Sequence, residues 1–174
     1  MIVEKNNIIY VFTDGGARFN SKDGEMKSTD KCGCAFTLEF NGTKKIGSFS
    51  GFGYSNNQME LVAILLALKE IKNKTLSVII NTDSKYAINC LTKWCYNWEK
   101  NGWKKKDGSE ILNIDIIKKI YYLLKEFPFL EFNHVKGHSG IEGNEEVDQL
   151  LNEAMDKIDT GENIFPVFEE VKYV

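Results

Sequence analysis

The sequence predicts an α/β domain: a five-stranded mixed sheet with flanking helices, in the order βββαβααβα. Three observations lead there. Asn41-Gly42, a strong hairpin signal, joins two strand-like runs that follow a first one, giving an antiparallel meander. Beyond it, helical and strand patterns alternate, which implies parallel crossovers in the same sheet. The 174-residue chain is 43% apolar and 12% aromatic, enough for one packed core but short for two domains.

Each element follows from its own pattern. Ile8–Thr13 (IIYVFT) is a short apolar run, read as a strand that ends in a turn at Asp14-Gly15-Gly16. Residues 17–32 are polar and aperiodic, an exposed loop. Gly33–Phe40 and Lys44–Ser50 are the hairpin strands. Asn57–Lys72 is Leu- and Ala-rich and apolar nearly all round, so it is a helix buried on most of its surface. Leu76–Asn81 is a strand, and Thr82-Asp83-Ser84 opens a helix running through Tyr86, Ile88 and Leu91. Ile111–Leu124 is a helix that Pro128 stops, and Phe129–Val135 is the last strand. A glycine-punctuated loop, Gly137–Gly143, leads into an amphipathic helix over Asn144–Ile158, with Val147, Leu150, Leu151, Ala154 and Ile158 on one face. Residues 1–158 make the domain, and 159–174, with Pro166 and several acids, form a loosely attached tail.

Composition narrows the chemistry. No apolar run approaches the ~20 residues needed to cross a bilayer, so no membrane is expected. The net charge of −3 argues against a general polyanion binder, although it hides local patches. Cys32, Cys34, Cys90 and Cys95 include no CxxC pair and read as free thiols in a reducing, cytoplasmic compartment. His134 and His138 lack an HExxH context, which disfavours zinc. No P-loop or glycine-rich nucleotide motif supports a small-molecule phosphohydrolase, and no small-molecule cofactor is expected.

Four acids stand where core elements begin or end: Asp14, Glu60, Asp83 and Asp148. Singly, each has an ordinary explanation as a turn, a helix cap or a solvated helix acid. Jointly they fit a site, because ligands of open α/β sheets collect at the carboxyl ends of strands. Carboxylates brought close raise one another's pKa, and a hard divalent cation relieves that cost. All-oxygen donors select Mg²⁺ or Mn²⁺, and two such ions can clamp the attacking and leaving oxygens of a phosphodiester. His138, in the loop KGHSG, adds a group able to exchange protons near neutrality, whereas His134 in FNHV reads as structural. Residues 93–106 differ in kind: five lysines against the single acid Glu99, with Trp94, Trp98 and Trp103 interleaved. Such a segment suits a phosphate backbone, with Trp98 and Trp103 fixing its shape while Trp94 and the lysines touch the nucleic acid.

Four motifs, TDGG (Thr13–Gly16), NNQMEL (Asn56–Leu61), NTDSKY (Asn81–Tyr86) and VKGHSGIEGNEEVD (Val135–Asp148), resemble in order and spacing type 1 ribonuclease H of the bacterial and cellular kind. The resemblance covers roughly residues 8–157. It implies a ribonuclease H-like fold and an endonuclease that hydrolyses the RNA strand of RNA/DNA hybrids, leaving 5′-phosphate and 3′-hydroxyl ends. It implies that Asp14, Glu60, Asp83 and Asp148 hold two metal ions, with Asp14 bridging, Asp148 on the ion that activates water, and Glu60 and Asp83 on the other. His138 matches the mobile-loop histidine that assists proton transfer or product release. Residues 93–106, with Trp94, Lys104, Lys105 and Lys106, resemble the basic protrusion that binds the DNA strand. Asn20, Asn56 and Gln58 match positions beside the RNA strand, and Ser55 and Asn113 positions of a phosphate pocket for DNA. Gly53 stands where the family often has an arginine. A monomer acting on the hybrid is expected. Two readings compete: an inactive hybrid-binding module, and a nuclease of this fold acting on DNA.

Overall fold

The computed structural model describes residues 7–19 and 24–158, together with the backbone of residues 164–172. The elements are β1 (Ile8–Ala17), β2 (Lys31–Phe40), β3 (Thr43–Phe52), α1 (Asn56–Glu70), β4 (Ser77–Thr82), α2 (Lys85–Asn89), a π-helical turn (Cys90–Trp94), α3 (Cys95–Lys100), α4 (Ile114–Leu124), β5 (Leu130–His134), α5 (Glu142–Lys157) and β6 (Ile164–Lys172). The sheet order is β5-β4-β1-β2-β3-β6. β1, β4 and β5 run parallel, while β2, β3 and β6 extend the sheet antiparallel from β1. The expected mixed sheet with flanking helices is thus present, and a sixth strand is added to it. β6 comes from the segment to which the sequence assigned no element, and it pairs along β3 from Thr43 to Ser50 with a shift between Ser48 and Ser50.

Alternation along β1 sets up the layers. Ile9 and Val11 face the larger core, which holds Leu61, Ile64 and Leu68 of α1 and Ile117 and Ile120 of α4. Phe12 faces the opposite side, where Val147, Leu151 and Met155 of α5 pack on Ala35. All four cysteines are free and buried. Among the described residues, no helix is long and apolar enough to cross a membrane.

Two elements depart from their sequence reading. β1 does not turn at Asp14-Gly15-Gly16 but continues to Ala17, paired with β2 through Gly16↔Gly33 and Ala17↔Cys32. The glycines serve a close approach instead: a Cβ on Gly15 would penetrate the backbone of Met59 and Glu60, where α1 crosses the strand. The helix expected from Ser84 onward is interrupted by the π-helical turn, in which the Cys95 N–H donates to the Cys90 carbonyl. That i→i+5 turn inserts one residue into the helical winding and so rotates the faces of α3 relative to those of α2.

Candidate active site

The site is assembled where the two central parallel strands end. Register places Thr13 of β1 beside Thr82 of β4, so Asp14 and Asp83 are the next residues along neighbouring strands. α1 starts at a capping box, in which Ser55 Oγ accepts from the Gln58 N–H at 3.1 Å and Gln58 Oε1 accepts from the Ser55 N–H at 2.8 Å. That start, with the contact at Gly15, delivers Glu60 against Asp14. One carboxylate oxygen from each of Asp14, Glu60 and Asp83 lies within 4.8 Å of the others. Asp148, in the second turn of α5, stands outside that tight trio, yet its charge acts on both Asp14 and Asp83.

Burial makes this clustering costly. The Asp14 carboxyl is pushed up to about 7, first by burial, then by the charges of Asp83 and Asp148, against the lowering effect of the Gly15 N–H. Glu60 is raised well above the ordinary carboxylate range by burial and by the charges of Asp14 and Asp83. Asp83 is raised by burial, opposed by its own N–H and by His138. Glu60 Oε2 is a buried oxygen without a hydrogen-bond partner. An orphaned carboxylate oxygen beside two more carboxylates, with no nitrogen or sulfur donor in the group, suits a hard divalent cation. This trio could therefore bind metal.

The loop before α5 passes directly over the site. A Cβ on Gly137 would lie 2.9 Å from Asp83 Oδ2, so any larger residue here would push that carboxylate aside. The exposed His138 follows at φ 55°, in the left-handed region. His134, read from sequence as structural, is exposed at the end of β5, its Nε2 3.3 Å from the Asp83 carbonyl oxygen. Its place beside Asp83 was not legible, because β4 and β5 meet only through the crossover.

The other candidates fall into two groups. Near the start of α1, Ser55 and Gln58 build the capping box, and Asn56 Oδ1 accepts the Ala17 N–H at 2.6 Å, tying α1 to β1. Farther along the surface, Asn113 adopts φ 62° before α4 and its Nδ2 donates to Tyr86 Oη at 3.0 Å. Trp94 is edge-on to the same Tyr86 and 41% exposed. Trp98 and Trp103 pack against the larger core. Lys104, Lys105 and Lys106 are exposed on a loop braced by Asn101 Nδ2, which donates to the carbonyls of Lys104 and Lys105. Asn20 lies outside the described residues. Sequence reasoning passed over Arg18 and Asn152. Arg18 Nη2 donates to Asn152 Oδ1 at 3.1 Å, and Asn152 Nδ2 donates to the Asp148 carbonyl at 2.8 Å. The four-residue spacing of Asn152 from Asp148 was a readable signal; the link to Arg18 was not.

The family model for RNase H matches residues 6–156. A ribonuclease H of Ruthia magnifica is 36% identical over 154 residues, spanning 88% of this chain and 99% of that protein. A ribonuclease H of Francisella philomiragia is 36% identical over 155 residues, spanning 89% and 95%. Among solved structures, LC9-RNase H1, described as a type 1 RNase H with the type 2 active-site motif, superposes with a TM-score of 0.72 at 23% identity, covering 88% of this chain and 74% of that one. The PFV RNase H domain superposes at 0.65 with 20% identity, covering 87% and 95%. Sheet order, the carboxylates at its centre and the match over most of the chain converge on one conclusion: this chain belongs to the RNase H family.

Proposed function

We propose that this chain hydrolyses the RNA strand of RNA/DNA hybrids as an endonuclease, with two Mg²⁺ or Mn²⁺ ions, leaving 5′-phosphate and 3′-hydroxyl ends. The observation that carries this reading is the buried carboxylate trio Asp14, Glu60 and Asp83, with its orphaned Glu60 oxygen, in a chain matching RNase H along most of its length. Asp14, Glu60, Asp83 and Asp148 would hold the ions. Bound there, they supply Lewis acidity that lowers the pKa of water and neutralises charge on the leaving oxygen.

The remaining work belongs to the chain itself. Burial of Asp14 and Glu60 keeps the trio in a weakly screened pocket, where its charge acts strongly on a bound cation. His138, beside Asp83 on an exposed loop, takes or delivers a proton as the product leaves. Asn20, Asn56 and Gln58 border the RNA strand, and Ser55 borders a phosphate of the DNA strand. Asn113, Trp94 and Lys104–Lys106 carry the DNA strand by phosphate and ring contacts. Residues 1–158 carry the catalytic machinery, and the whole chain works as a monomer. The test is a labelled hybrid incubated with the protein and Mg²⁺ or Mn²⁺, beside single-stranded RNA, duplex RNA and duplex DNA. Cleavage of only the RNA in the hybrid is expected. No cleavage by pure, folded protein at any metal concentration rejects the enzymatic reading, and cutting of duplex DNA favours the DNA nuclease.

A further inference from the structure

Ala17 and Arg18 tie the strand that carries Asp14 to both helices that carry other acids of the site. On one side the Ala17 N–H donates to Asn56 Oδ1, on the helix of Glu60. On the other, Arg18 reaches α5, the helix of Asp148. Its Nη1 pairs with Asp156 Oδ1 at 2.5 Å, and its Nη2 donates to Asn152 Oδ1 at 3.1 Å and to the Asn152 carbonyl at 3.3 Å. A guanidinium carries donors and no acceptor, so the end of the Asn152 amide facing it must be oxygen. The NH₂ end then points back along the helix. It donates to the Asp148 carbonyl at 2.8 Å and approaches Asp148 Oδ1 at 3.4 Å. With Arg18 present, the reversed amide would set NH₂ against guanidinium and oxygen against carboxylate, which is unfavourable at both ends.

We propose that Asn152, oriented by Arg18, is a positioning residue for Asp148: its amide steers one carboxylate oxygen and thereby sets how that carboxylate meets a divalent cation. The inference rests on the reading of the four acids as a metal site. Partners that orient metal-ligating carboxylates typically change metal affinity by 10–100-fold when removed. Asn152 is half-buried, and its side chain bonds to Arg18 and Asp148 rather than filling the apolar core.

The experiment is calorimetric titration of Mn²⁺ into metal-free protein, for the wild type and for Asn152→Leu, Asn152→Gln, Arg18→Met and the Asn152→Leu/Arg18→Met pair. Asn152→Leu is expected to weaken Mn²⁺ binding about tenfold. Its metal-free melting temperature should stay near that of the wild type, and kcat should fall without a change in KM for a hybrid. Asn152→Gln, which keeps the donor, recovers part of the affinity. Arg18→Met weakens binding less and adds nothing when Asn152 is already leucine. Unchanged affinity in Asn152→Leu, a loss that merely follows metal-free stability, or no recovery with glutamine overturns the positioning role. A wild type that binds no Mn²⁺ overturns the metal reading beneath it.

Discussion

At Asp14, burial and two neighbouring carboxylates push in the same direction, and the result is open to titration. The folded-state value of about 7 lies above the ordinary 3.8, so between those values the folded protein binds more protons than the unfolded chain. Stability without metal therefore falls as pH rises from about 4 to about 7. Three units at ~1.36 kcal/mol each bound the effect at about 4 kcal/mol, part of it shared with Glu60 and Asp83. Asp14→Asn removes the charge while keeping an oxygen for the Gly15 N–H, now bonded at 2.9 Å. The metal-free variant should melt several degrees above the wild type at pH 8, with the gap closing near pH 4; an equally steep pH dependence in the variant would contradict this. Asp83→Asn keeps the side chain's shape but removes a charge from the trio. Turnover should drop to background while the hybrid is still bound in a gel-shift assay, and substantial residual turnover would mean that Asp83 is misassigned. The acids were legible because each lies close to where a hydrophobic pattern begins or ends in the sequence. Asn152 was legible only through its four-residue spacing from Asp148, and its link to Arg18 was not, since 134 residues separate the two and polar pairs leave no periodic trace.

The helices and strands that carry these residues were readable where their own periodicity decides them, as in α1, α4 and α5. They were misread where a distant element decides. Asp14-Gly15-Gly16 looks like a turn locally, but in the fold it is a strand thinned so that α1 can cross it. The π-helical turn at Cys90–Trp94 has no local signature. From its end onward, the Trp94 and Trp98 rings stand 6.0 Å apart on one side of the helical segment, while Tyr96 leans on Tyr121 from another. Trp103 is pinned to Tyr121 as well, edge-on at 5.2 Å, and its N–H donates to the Trp98 carbonyl. The lysine loop beyond is therefore presented by a rigid aromatic base. Changing Lys104, Lys105 and Lys106 to alanine should reduce the slope of log affinity against log salt by about one unit for each phosphate that a lysine no longer neutralises. The fold should stay intact, because these side chains are exposed. An unchanged slope removes the loop from the interface.

At the scale of the whole molecule, the sheet places its parallel half under the site and its antiparallel half to one side. The first five strands were legible from patterning and from one Asn-Gly hairpin. The sixth was not, since its partner β3 lies more than a hundred residues earlier and nothing in the segment itself names that partner. Its backbone occupies the hydrogen-bonding edge of β3. Without it, a row of N–H and C=O groups on a ten-residue strand would be open to any other extended chain. A protein cut back to residue 158 should keep its carboxylate trio but sediment as concentration-dependent oligomers, and a strictly monomeric truncation would show that the edge protects itself. The last strand of the fold thus acts as a seam, closing off stacking of one copy upon the next at a margin remote from the chemistry.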